Sequence, residues 1–248
     1  MRTPSATELL CAWERALSRP AALRGIAVLE SCCPGTDGEE LARLPIGQRD
    51  ARLLELRSIT FGPSVPCIAK CGFCGESLDV EFGLEEIRQR APALEAGGVG
   101  ALRVEAEGWE VRARLPNSLD LEAAAGARDA EEAKGILLSR CVESVAAPDG
   151  QTSPLEALPA QIIAAISDRM SEADPQGDVR LELNCPECGG EGVFVFDIGT
   201  YLWEELQAFA KSLMGEVHEL AHAYSWSESD ILNMSAQRRS YYLEMIGA

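Results

Sequence analysis

The chain has 248 residues, 46% of them apolar, enough to bury a sizeable core in one large domain or two small ones. Forty acidic against 22 basic residues give a formal charge of −18, which repels phosphate backbones and anionic bilayers over about a Debye length. Nucleic acid and membrane are therefore excluded as partners, and no run of about 18 uncharged apolar residues suggests a spanning helix. The start, Met1-Arg2-Thr3-Pro4-Ser5, leads into an amphipathic helix instead of a signal-peptide core, so a cytoplasmic location in the producing cell is expected. The acidic surface suits solvation or a basic protein partner.

Taken in chain order, the first third reads as helices over 8–17, 38–41 and 48–56, with a turn at Leu44-Pro45-Ile46-Gly47. Phe61-Gly62-Pro63 then leads into a cysteine-rich stretch, after which Leu78, Val80 and Phe82 alternate with polar residues as in a short strand. A helix over 84–89 and a turn at Gly97-Gly98 come next. Two alternating runs, Leu102 to Ala106 and Val111 to Leu115, flank Glu107-Gly108 and predict a β-hairpin. Ser118 or Asp120 is positioned to cap a short helix to Ala125, and a second helix spans 129–141. The Pro, Asp and Gly of 146–153 read as a linker. A helix follows over 156–173, with Pro159 in its first turn and Asp174-Pro175 as its stop.

Val179, Leu181 and Leu183 alternate into a second cysteine turn, and 193–196 is the returning strand. The longest element runs over 198–224, where Leu202, Leu206, Phe209, Leu213, Val217, Leu220 and Tyr224 recur every three or four residues in one apolar stripe. Ser227 and Ser235 cap the last two helices. The fold expected is α+β and mainly helical, divided at 1–82, 83–178 and 179–248. The first and last parts each carry a cysteine knuckle, and the middle part is an inserted hairpin with helices.

Nine cysteines in a reducing compartment point to metal binding more than to disulfides. Two turns share one grammar: Cys71-Gly72-Phe73-Cys74-Gly75 and Cys185-Pro186-Glu187-Cys188-Gly189. A CxxC turn brings both sulfurs to one ion at about 2.3 Å, and two turns complete a tetrahedral shell. Cys71, Cys74, Cys185 and Cys188 are thus the expected ligands of a single structural Zn2+, which would clamp the two ends of the chain in a split zinc-ribbon-like element. Four protein ligands leave no open position for chemistry, so no catalytic residue is expected. Cys67, four residues before Cys71, is an alternative to it. Cys11, Cys32, Cys33 and Cys141 stand outside ligand spacing.

His218-Glu219-Leu220-Ala221-His222 matches the HExxH pattern of zinc peptidases. Its histidines fall beside the apolar stripe in line with Lys211 and Gly215, on a solvated flank. Without a secure third ligand or a substrate cleft, a zinc metallopeptidase is only the alternative reading.

The order of several pieces carries a resemblance. Trp13-Glu14, Leu44-Pro45-Ile46-Gly47-Gln48-Arg49-Asp50, Phe61-Gly62, CxxC, CPxCG, Asp197-Ile198, Trp203, Ala223-Tyr224-Ser225-Trp226-Ser227, Arg239 and Tyr242 stand in this sequence. Together they resemble the baseplate hub assembly protein family of contractile-tailed phages, with relatives in extracellular contractile injection systems. The resemblance implies a non-enzymatic baseplate component that stays in the finished particle, or an assembly chaperone that leaves it, acting on hub and spike proteins.

Overall fold

The computed structural model describes residues 2–32, 35, 37–88 and 101–247, at Ala101 the backbone alone. Cys33, the Gly97-Gly98 turn and the expected helix end at Gln89 lie outside the described residues. The fold is α+β, mainly helical, with three small antiparallel sheets.

Helix α1 (Ala6–Leu17) opens on a capping box in which the Ser5 hydroxyl accepts from the Glu8 N–H while the Glu8 carboxylate accepts from the Ser5 N–H. Helix α2 (Ala21–Cys32) has no counterpart in the sequence reading. Ile26, Ala27, Val28 and Leu29 are consecutive and all buried, because α2 is enclosed by neighbours and needs no polar face. After α3 (Gly38–Ala42), helix α4 (Ile46–Phe61) begins inside the expected turn, with Pro45 as its N-cap, and ends at Gly62, whose φ of +94° suits glycine.

Strands β1 (Ser64–Lys70) and β2 (Ser77–Gly83) form the first hairpin; β1, which contains Pro66, was not expected. A single turn, α5 (Leu84–Ile87), follows. The predicted hairpin is β3 (Ala101–Ala106) with β4 (Trp109–Arg114), and Glu107 and Gly108 both take positive φ at its two-residue turn. Helix α6 (Ser118–Ala124) is capped by Asn117, not by Ser118 or Asp120. The Asn117 side chain accepts from the N–H groups of Leu119 and Asp120, and Asp120 instead takes the Asn117 N–H.

Helix α7 (Ala130–Cys141), capped by Asp129, the first residue of the expected helix, runs directly into β5 (Val142–Ala146), an unexpected third strand on β4. Helix α8 (Ala160–Ala173) starts four residues later than expected. Pro159 forces Leu158 into extended backbone, so 155–157 is only a separate 3₁₀ turn. The second hairpin, β6 (Val179–Asn184) and β7 (Glu191–Phe196), precedes α9 (Ile198–Tyr224), α10 (Glu228–Leu232) and α11 (Ala236–Ile246), whose caps Asp197, Ser227 and Ser235 all accept backbone N–H groups.

The main core is drawn from both ends of the sequence. Leu29, Leu53, Leu56 and Val65 meet Val179, Leu202 and Leu206, and the rings of Phe82 and Phe196 pack nearly perpendicular, with centroids 5.2 Å apart, between the two hairpins. A second cluster, Val104, Val111, Val145, Ile162 and Ile166, lies between α8 and the three-stranded sheet. Buried ionic groups tie elements together. Arg57, 2% exposed, pairs with Glu205 of α9 at 2.7 Å and donates to the carbonyls of Gly62 and Ser64. Asp120 is fully buried between Arg114 and Arg140. Burial works against its charge, but Arg114, the Asn117 N–H and Arg140 hold its carboxyl below the usual range.

Candidate metal centre

Each hairpin turns through an identically built knuckle. In the first, the Cys71 N–H donates to the Glu76 carbonyl and the Gly75 N–H to the Cys71 carbonyl, both at 2.9 Å. In the second, the Cys185 N–H donates to Gly190 and the Gly189 N–H to Cys185, again at 2.9 Å. Gly75 and Gly189 occupy the same left-handed conformation, φ +75° and +70°, which folds each turn back over its own thiols. The repeated grammar in the sequence is thus a repeated backbone geometry.

The two knuckles meet. The sulfurs of Cys71, Cys74, Cys185 and Cys188 all lie within 4.8 Å of one another. Cys71 Sγ is 3.7 Å from Cys188 Sγ, and Cys74 Sγ is 3.7 Å from Cys185 Sγ. A disulfide requires about 2.05 Å. A tetrahedron of thiolates at about 2.3 Å from a central zinc has edges of about 3.8 Å, so the donor set fits such an ion in both number and spacing. The first cysteine of each knuckle is buried and the second exposed, a pattern that places the centre at the rim of the core, over Leu78. Phe73 lies against Gly190, where a Cβ would come within 2.5 Å of its ring, so a larger residue there would push the exposed Phe73 side chain aside.

The crowded thiols titrate apart. The N–H groups of Cys74 and Phe73 pull Cys71 down to about 6. The Glu76 N–H works in the same direction on Cys74, but the thiol of Cys188, burial and the other two thiols push Cys74 up to about 12. A divalent cation among the four sulfurs would favour the thiolate form of all of them.

Cys67 is not in the group. It sits on β1 beside the main core, and burial raises its pKa. Cys11 is exposed, and Cys32 and Cys141 are buried. Burial and the Asp120 carboxylate push Cys141 up to about 11. His218, Glu219 and His222 are exposed on α9, their imidazoles nearly parallel with centroids 6.4 Å apart. Among the described residues no third protein group joins them in a metal-sized cluster. Glu244 is exposed on α11.

Two features of the site region escaped the sequence reading. The Phe73–Gly190 contact joins residues that only the assembled hairpins bring together. The buried pair Arg49–Asp50, with nitrogen to oxygen at 2.7 Å, and Asp174 lie where the start of α4 meets the end of α8; the only hint was that Arg49 and Asp50 close a run of otherwise turn-like residues.

A family model described as T4 bacteriophage base plate protein matches residues 25–203, which include both knuckles and most of the main core. No curated protein and no solved structure matches the chain.

Proposed function

Since the chain belongs to the T4 bacteriophage base plate protein family, we propose that it is a structural or chaperone-like assembly protein of the baseplate and central hub of a contractile tail or injection system. Its partners in this reading are hub and spike proteins. It is made in the cytoplasm of the producing bacterium and built into, or released from, the growing particle. The observation that carries the reading is the family match across 25–203.

The tetrathiolate centre gives the role a physical basis. Cys71, Cys74, Cys185 and Cys188 would hold one Zn2+ in a split zinc ribbon, with the residues between the hairpins as an insertion. A bound divalent ion contributes folding free energy without exposing a reactive coordination position. That closed shell, were it formed, and the exposed position of the histidine pair support a non-enzymatic role. Among the described residues no helix is long and apolar enough to cross a membrane.

The test is a deletion strain. Loss of contractile particles, restored by the wild-type gene, is expected; normal numbers of functional particles would contradict the proposal. Mass spectrometry of purified wild-type particles then separates the two versions, since a subunit is present in fixed stoichiometry and an assembly factor is absent.

A further inference from the structure

A groove of about 420 Å³ opens between the start of α4, the end of α8 and the end of β7. This is within the roughly 300–1,000 Å³ typical of ligand clefts. Its apolar wall is Leu115, Pro116, Leu121 and Met170 on the insertion side, facing Val195 and Phe196 on β7. Val195 is 70% exposed and its neighbour on the same strand face, Val193, is 61% exposed, so the apolar surface continues out of the groove. Contiguous exposed apolar surface, more than single exposed side chains, marks interaction sites.

Carboxylates dominate the charge on the groove. Asp50, Asp174, Asp178 and Asp197 line it, against Arg49 alone. Arg49 is committed to Asp50, and Asp178 is held from outside the lining by Arg180 at 2.8 Å. Asp174 accepts from the Gly47 N–H and lies in the field of Arg49, and Asp197 accepts from the Gly199 N–H and the Thr200 hydroxyl. An anion or an uncharged apolar helix would meet carboxylates as it entered; a cationic side chain would be drawn in.

We propose that this groove docks a segment of a partner protein that presents a lysine or arginine to the Asp174–Asp178–Asp197 edge and an adjacent apolar side chain to Val195 and Phe196. The inference deepens the baseplate reading and rests on it for the partner's identity, a neighbouring baseplate protein. The chemistry of the contact does not depend on that identity. Main-chain and pocket contacts of this sort select short sequence patterns, here basic next to apolar.

The full chain as purified is screened against a bead-bound library of short randomised peptides. The selected peptides are expected to share Lys or Arg beside an apolar residue. Val195→Lys and Asp178→Asn, both at exposed or half-exposed positions, should each weaken binding of a selected peptide by about tenfold. Ile68→Lys, on β1 and 73% exposed, should leave it unchanged. Selection of acidic or purely apolar peptides, no selection at all, or binding by the two groove variants as tight as by the wild-type chain would overturn the proposal. A chain present in particles, or needed for them, that selects no basic peptide fails the groove alone. One that selects such peptides yet is dispensable for particles fails the baseplate reading alone.

Discussion

The N–H of Gly47 donates a 2.8 Å hydrogen bond to the carboxylate of Asp174, a residue 127 positions later in the chain. Helix α4 begins at Pro45 without a side-chain cap of its own, and Asp174, at the end of α8, supplies one from a distant segment. Gly47 is required for the approach, because a Cβ there would lie 2.0 Å from Asp174 Oδ1 and 2.9 Å from the Gly177 backbone nitrogen.

Asp174→Ala should therefore cost about 1–2 kcal/mol, the usual worth of a lost cap. Gly47→Ala should cost at least as much, since the Gly177 backbone cannot swing aside. In a double-mutant cycle by urea denaturation the two losses should fall well short of additive. Full additivity would mean that the two positions are not coupled through this contact.

Glu205→Ala leaves the guanidinium of Arg57 buried without its partner, a change of about 3–5 kcal/mol. The carbonyls of Gly62 and Ser64 still accept from Arg57, so the lower end of that range is expected. A loss below about 1 kcal/mol in chemical denaturation, the value of a surface ion pair, would show that the pair is solvated.

Burial pushes the Asp50 carboxyl up to about 6 from the ordinary 3.8, outweighing the pull of Arg49, and the carboxylates of Asp197 and Asp174 add to the rise. With the folded value above the unfolded one, the stability this group contributes is fully present below about pH 4 and is lost as pH rises through about 6. Carboxyl carbon NMR should find its titration midpoint near 6. A midpoint at or below the ordinary value would contradict the burial described here.

The parts of this fold that were legible in the sequence are those whose signal is local. The two CxxC turns, the Glu107-Gly108 hairpin and the stripe from Leu202 to Tyr224 each declare themselves within a few residues of spacing. Helix α2 was hidden because Ile26 to Leu29 is apolar all round, which gives no period to read. Strand β1 was masked by Pro66, and β5 by its direct continuation from α7. The Asn117 cap differs from the expected Ser118 or Asp120 by only a few positions, within the usual blur of helix ends. The sequence could propose four ligands but could not choose between Cys67 and Cys71. That choice depends on which face of β1 and its turn meets the second hairpin, a matter of tertiary packing. The Gly47–Asp174 bond and the acidic groove belong to the same class.

The tetrathiolate centre is the element on which the account turns, and native mass spectrometry of the purified full chain tests it most directly. The account predicts one zinc per chain, lost together with much of the thermal stability in the Cys185→Ser, Cys188→Ser double variant, and unaffected by His218→Ala or His222→Ala. A metal-free wild-type chain, a double variant that keeps its zinc and its stability, or a second zinc lost with the histidines would contradict it.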